Sequence, residues 1–377
     1  MAQKVHISRL SLTQFRNYAA LQLRFDGRHV VLTGDNGAGK TNLMEAISFL
    51  SPGRGFRRAA YDEVVRNGAQ AFTIFAEVDG IAGEVAIGTG VDLNEETLTR
   101  RLRLNGTAAK SADELTDHLN VLWMTPAMDG LFTGGASDRR RFLDRLVLSL
   151  DPAHGRRASD FERAMRSRNK LLSESRFDPA WLSGLERQMA SLGIAMMLAR
   201  REMLGLLAAL TERTVSEAQP FPTAVLALSG FLDEAQGVPA LELEDRYATM
   251  LEESRYRDAA AGRTLEGPHR ADLLVRHREK DMEADRCSTG EQKALLTGLI
   301  LAHAQLNADM TGFAPILLLD EIAAHLDANR RAALFDRIHA LGGQAFMTGT
   351  DRAMFSALGD RAQYFTVKDA SVAEEAP

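Results

Sequence analysis

The stretch GDNGAGKT, Gly34 to Thr41, decides how this chain is read. It satisfies G-x-x-x-x-G-K-[ST] and lies between an apolar strand-like run, HVVLT, and a helix-patterned run, TNLMEAISFL. That strand–loop–helix order is what a phosphate-binding loop requires. Gly34, Gly37 and Gly39 let the backbone curl so that amide N–H groups, including those of Asp35, Asn36 and Ala38, face phosphate oxygens. Lys40 then reaches the β- and γ-phosphates, and Thr41 offers a hydroxyl to Mg²⁺. A glycine-rich turn that binds nothing is the bland alternative, and the flanking strand and helix argue against it.

Moving outward, ILLLDE (Ile316 to Glu321) is four apolar residues ending in two acids. A buried strand of this kind delivers Asp320 to the metal beside the phosphates, as a Walker-B aspartate does. Glu321, one residue on, is the natural group to orient and polarise an attacking water. A solvated acid pair at a strand end is the plain alternative, weakened by the phosphate loop elsewhere in the chain. A third stretch, RCSTGEQKALL from Arg286, opens a long apolar helix. Ser288 and the amides around Gly290 make a helix N-terminus suited either to capping the chain itself or to holding an anion. Because Lys40 and its loop already serve one pocket, the spacing predicts that this N-terminus closes over ATP held by a second subunit, in an isologous dimer.

Around these motifs the pattern changes twice. From Lys4 to about Leu104 it is mostly period-two, with one helix; from Ser137 to about Gln219 it is helical; after Asp285 helices alternate with wholly apolar strands. Such strands form a buried sheet covered by helices. The expected organisation is an α/β ATPase lobe in two parts, residues 1–120 and 285–377, interrupted by a mainly helical lobe, residues 121–284.

GDNGAGKTNLMEAI, STGEQK, ILLLDEIAAHLD and QFRNY (Gln14 to Tyr18) together resemble the ABC-type ATPase heads of the SMC and RecF group. SPGRGFRRA, TPAMDGLFTGGASDRRRFLD and GPHRADL are similar to internal motifs of the RecF family. The resemblance implies an ABC-type P-loop head with ATP and Mg²⁺ as cofactors, and a weak, DNA-stimulated ATPase. It assigns Ser288, Gly290 and Gln292 to the signature, Leu326 and Asp327 to the D-loop, and Glu321 to catalysis. It further implies DNA repair and replication, an SOS connection, and action at gap junctions with RecR, RecO and, indirectly, RecA. Two departures stand out: the switch strand FMTGTD (Phe346 to Asp351) carries no histidine, and no Q-loop glutamine can be assigned.

The 377 residues are 45% hydrophobic and 25% charged, with a net charge of −6. An acidic chain of this composition is no uniformly basic DNA-coating protein, so any DNA contact needs a local patch. Two patches offer themselves: Arg54, Arg57 and Arg58 after the first helix, and a tract holding Arg139, Arg140, Arg141, Arg156, Arg157, Arg163, Arg166, Arg168 and Arg176. A salt-bridged solvated helix face is the competing account of the second. Few aromatics interleave with these arginines, which favours duplex backbone over single-strand stacking. The single cysteine, Cys287, excludes an internal disulfide and fits a reducing compartment. With no secretory pattern and no apolar run of membrane length, a cytoplasmic protein is expected. A transporter-type ABC subunit is the alternative, disfavoured by the arginine-rich insert and the missing histidine. Long coiled-coil arms are excluded by the room available and by Pro179, Pro220, Pro222 and Pro239.

Overall fold

A computed structural model of the chain describes residues 4–81, 83–174, 178–214, 220–231, 237–324 and 326–375. Arg176 of the basic tract and His325 within AHLD lie outside them. In chain order the elements begin with β1 (His6–Phe15), β2 (Tyr18–Arg24), β3 (His29–Thr33), α1 (Lys40–Ser48) and the short α2 (Tyr61–Val64). Next come β4 (Ala71–Gly80), β5 (Gly83–Asp92), β6 (Arg101–Leu104), β7 (Thr107–Ala108) and β8 (Val121–Met124). The middle of the chain holds α3 (Ala136–Leu148), α4 (His154–Leu172), α5 (Pro179–Thr214), β9 (Ala224–Ser229), α6 (Ala240–Glu253), α7 (Arg255–Ala261), β10 (Asp272–His277) and β11 (Met282–Glu283). The last part comprises α8 (Thr289–Thr311), β12 (Ile316–Leu319), α9 (Ala328–Ala340), β13 (Ala345–Gly349), β14 (Ala362–Lys368) and β15 (Ser371–Glu374).

These elements form two compact units: Met1–Asp129 with Glu217–Pro222 and Thr289–Pro377, and Gly130–Ser216 with Thr223–Ser288. In the first unit one sheet runs β15-β14-β3-β13-β12-β8, parallel from β14 through β8. Its central strands β3, β12 and β13 are buried at every residue, which is why their sequences are unbroken apolar runs rather than alternating ones. The second sheet, β2-β1-β4-β5-β6-β7, is antiparallel and does alternate: Phe72, Ile74, Ala76 and Val78 of β4 point inward between more exposed neighbours. Its inner face shares one core with α1, where Phe15, Phe49 and Phe72 meet edge to face at 5.5–5.8 Å. Each such ring contributes about 1.5–3 kcal/mol by burial, so the phosphate-loop helix is held against two sheets at once.

The first unit extends past the expected division at residue 120. Val121–Met124, placed by pattern in the helical lobe, are a fully buried strand paired in parallel with β12, Leu319 opposite Met124. A four-residue apolar run carries no period, and only the pairing with a strand almost two hundred residues away identifies it. In the second unit α5 packs on α4 and α6 through Met189, Ile194, Met197, Phe161, Leu243 and Tyr247. The methionines of LGIAMMLARREML are therefore core packing. This unit also contains a three-stranded sheet, β11-β10-β9. Its strand β9 falls within a stretch that the sequence pattern leaves unassigned.

Candidate nucleotide site

The parallel sheet fixes where the chemistry gathers. In open α/β sheets ligands bind outside the carboxyl ends of the strands, and here β3 ends in the phosphate loop while β12 ends in Asp320 and Glu321. The loop's shape depends on missing side chains at two points. A Cβ on Gly34, whose φ is 141°, would lie 2.1 Å from the Val367 carbonyl oxygen; one on Gly39, φ 119°, would lie 2.6 Å from Asn17 Nδ2 and 2.7 Å from the Tyr18 hydroxyl. The β1–β2 turn is thus pressed against the loop. Tyr18 donates its hydroxyl to Gly39 O at 3.1 Å, Asn17 donates to Ala38 O at 3.4 Å, and Asn42 donates to Asn17 Oδ1 at 2.8 Å. Lys40, the first residue of α1, is buried and donates to Gly34 O at 2.5 Å and Asp35 O at 2.9 Å. Burial draws its pKa below the usual lysine value, with Glu321, Asp320 and Asp35 opposing the shift.

Facing the loop, Thr41 donates to Asp320 Oδ1 at 3.3 Å. The same carboxylate oxygen accepts from the Thr348 hydroxyl at 2.6 Å, and the Glu321 N–H donates to Thr348 at 2.8 Å. Glu321 itself has a φ of 53°, in the left-handed region. Asn36, Gly37, Gly39, Lys40 and Thr41, with Asn42, Arg57 and Glu321, line a cleft of about 170 Å³. Among the described residues no group of three or more His, Cys, Asp and Glu is arranged to hold a metal. The adjacent Thr41 hydroxyl and Asp320 carboxylate are hard oxygen donors of the kind that suits a partly hydrated Mg²⁺ shared with phosphates.

Arg57, grouped with Arg54 and Arg58 by sequence, belongs to this cleft. It donates to Asn42 Oδ1 at 2.7 Å and Glu45 Oε2 at 2.8 Å, while Arg16 makes a two-pronged contact with Glu45 at 2.7 and 2.9 Å. Glu45 is completely buried between these two guanidinium groups. Sequence reasoning missed this role for Arg57 because the signal is spatial: α1 brings Asn42 and Glu45 to one face, and the following loop folds back on them. Thr348 and Asn17 were missed for the same reason.

The expected trans-acting residues are not among those that line the cleft. Ser288 and Gly290 are exposed at the start of α8, and a Cβ on Gly290 would meet open space. Gln292 is buried, at 5% exposure, so it differs from the other two signature positions. Lys293 is buried as well and reaches Asp129 at 3.4 Å. Asp327 is exposed and caps α9, accepting from the Arg330 N–H at 2.9 Å; that bond holds its carboxyl below the usual aspartate range.

The predicted DNA-binding arginines divide into two groups. Arg139 makes a two-pronged ion pair with Asp272, both contacts 2.8 Å, and donates to the Phe132 and Gly134 carbonyls at 3.1 and 2.7 Å. Its guanidinium is spent inside the second unit, and the bond to Asp272 raises its pKa. Arg140 donates to Ala271 O at 2.7 Å, and Arg168, wholly buried, joins Glu186 and Asp258. Arg168 is thus wholly enclosed, while Arg139 and Arg140 are half-buried with their guanidinium groups engaged within the second unit. Arg141 and Arg157 pair with Asp138 and Asp151, and Arg163 and Arg166 with Asp160 and Glu162. Arg156 is exposed on α4, Arg58 is exposed with a φ of 56°, and Arg54 lies 5.3 Å over the Tyr61 ring.

Residues 6–372 match the family described as the RecF/RecN/SMC N terminal domain. The chain is 74% identical over 375 residues to the DNA replication and repair protein RecF of Rhizobium leguminosarum bv. trifolii (strain WSM2304), covering 99% of this chain and 100% of that one. It is 76% identical over 368 residues to the protein of the same name from Rhizobium rhizogenes, covering 97% and 98%. Among solved structures it is similar to the recombination mediator protein RecF-ATPrS of the RecFOR pathway, with a TM-score of 0.85 at 23% identity over all of both chains. It is also similar to the Smc head domain of Pyrococcus furiosus, with a TM-score of 0.54 at 17% identity, covering 99% and 96%. The fold is accordingly α/β, that of an ABC-type P-loop ATPase head with an inserted helical lobe.

Proposed function

The chain belongs to the RecF family, and from that membership we propose that it is an ATP-dependent DNA-binding protein of replication and recombinational repair, with ATP hydrolysis resetting its DNA-bound state. The observation that carries this reading is the convergence of Lys40, Thr41, Asp320 and Glu321 on one cleft at the carboxyl ends of the parallel strands. Lys40 exchanges its loop carbonyls for the β- and γ-phosphates, while the loop amides 35–39 take the remaining oxygens. Thr41 and Asp320 would hold Mg²⁺, which when bound neutralises phosphate charge. Arg57 adds a second cation at the cleft wall, kept in place by Glu45. Glu321 accepts a hydrogen bond from water and directs it at the γ-phosphorus.

The exposed Ser288 and Gly290 at the α8 N-terminus serve a nucleotide on a second copy of the chain, with Asp327 at the same seam. Duplex DNA is held through the exposed arginines Arg54, Arg58, Arg141 and Arg156, with the half-buried Arg157 beside them. Surface ion pairs such as Arg141–Asp138 are worth about 0–1 kcal/mol and exchange readily for phosphate. In this reading the protein works in the cytoplasm, at the junctions of single-strand gaps. There RecR and RecO are its partners, and RecA is the indirect beneficiary. Among the described residues no helix is long and apolar enough to cross a membrane.

Light scattering of the Glu321→Gln variant with ATP and Mg²⁺, followed by titration with gapped duplex, tests the reading. The expected outcome is a stable dimer with ATP, and binding to gapped duplex that requires ATP and exceeds binding to single strand. A variant that binds ATP yet stays monomeric and indifferent to DNA overturns it.

A further inference from the structure

We propose that Thr348 is the positioning residue for Glu321, an inference that rests on the ATPase reading above. Its side chain is completely buried, and both of its hydrogen-bonding partners belong to the two consecutive acids. The hydroxyl donates to Asp320 Oδ1 at 2.6 Å and accepts from the Glu321 N–H at 2.8 Å. Topology makes this contact available. Strand β13 lies between β3 and β12, with Met347 level with Leu319, so the next residue along β13 stands beside Asp320 and in line with the phosphate loop.

Glu321 needs such a tether. Its φ of 53° lies in the left-handed region, where a non-glycine side chain is strained and needs surrounding contacts to hold it. The chain leaves the β12 ladder at this residue, and its amide turns to Thr348. Holding that amide fixes the turn, and the turn sets the direction from which the Glu321 carboxylate enters the cleft. The Thr348 proton has one place to go once the oxygen accepts from an N–H: it must point at Asp320, which also accepts from Thr41 at 3.3 Å. A continuous path of polar contacts therefore runs from the phosphate loop through Thr41, Asp320 and Thr348 to the Glu321 backbone. It ties the seat of the general base to the residue facing the phosphates. Valine at 348 would keep the shape but leave the Glu321 amide unpaired and remove the shorter of the two hydrogen bonds to Asp320 Oδ1, so the turn would relax. Serine would keep both bonds.

The test measures single-turnover and steady-state ATP hydrolysis, equilibrium binding of a fluorescent ATP analogue, and thermal melting. It compares wild type, Thr348→Val and Thr348→Ser, each also combined with Glu321→Gln. Thr348→Val is expected to lower kcat at least about tenfold, as loss of near-attack geometry does, with nucleotide Kd within about threefold of wild type. Thr348→Ser should recover most of that loss. In the Glu321→Gln background Thr348→Val should cost nothing more, because the group it positions is gone. If Thr348→Val melts below the assay temperature, Thr348→Cys, similar in size with weak hydrogen bonding, takes its place. The inference is overturned by wild-type kcat in Thr348→Val, by equal damage in the serine variant, or by an undiminished loss in the Glu321→Gln background. A wild-type chain that hydrolyses no ATP overturns the ATPase reading itself, and this inference with it.

Discussion

Buried polar side chains carry most of the sensitivity of this protein at the scale of single residues. His29, at the start of β3, accepts the Ala345 N–H on Nδ1 at 3.2 Å and lies 3.4 Å from His339. Burial, with a smaller contribution from His339, lowers its pKa from 6.5 to about 4. In the unfolded chain the same histidine takes up a proton near 6.5, so above that pH neither state is charged and the site contributes fully. As pH falls towards 4, the unfolded state gains a proton that the folded state refuses, and stability is lost. The full span corresponds to about 3 kcal/mol. Urea midpoints measured across this window should therefore fall less steeply for His29→Asn, whose amide oxygen can still accept from Ala345. An unchanged slope would show that other groups dominate the acid limb.

At the scale of elements, the N-terminus of α8 is the feature whose meaning depends most on context. The helix is buried along most of its length: Leu295, Leu296, Leu299, Ile300, Ala304 and Asn307 are all inside. It is open at its two ends, at Ser288, Thr289 and Gly290 in the first turn and at Asp309 and Met310 near the last. A Ser there is an ordinary helix cap, yet an exposed N-terminus on a 23-residue helix is also a strong site for an anion. Ser288→Arg fills that site with a bulky cation far from Lys40 in the chain. Nucleotide affinity should stay within about threefold of wild type, since Lys40 and its loop carry the phosphate contacts. ATP-dependent dimers should disappear in sedimentation or light scattering. Loss of nucleotide binding itself would instead assign Ser288 to its own subunit's pocket.

For the molecule as a whole, the proposed DNA contact depends on how the arginines are distributed between internal ion pairs and the surface. Arg139 and Arg156 look equivalent in sequence, both in the basic tract, but one is spent on Asp272, 133 residues away, and the other is exposed on α4. Arg139→Ala should cost about 2–3 kcal/mol, because it strands a partly buried carboxylate, and this would be read as a lowered urea midpoint. Arg141→Ala with Arg156→Ala should leave that midpoint in place and weaken duplex binding uniformly across sequences. It should also reduce the slope of log affinity against log salt by about one per lost phosphate contact. An unaltered salt slope in the double variant would move the DNA path to another face.

The phosphate loop, the acid-tipped apolar strand, the helical insertion and the family were all legible in the sequence. Each is carried by residues within a few positions of one another, whose backbone conformation and burial period are local properties. Three assignments came only from the tertiary structure. Val121–Met124 became a core strand by pairing with β12, and Arg57 was placed in the wall of the nucleotide cleft by Glu45 and Asn42. Thr348, in a strand that carries no histidine, was brought within hydrogen-bonding distance of both acids by the strand order. The physical reason is common to all three. A side chain's charge or hydroxyl is written in the sequence, but which partner satisfies it is chosen by strand order and register, through contacts that no local pattern encodes.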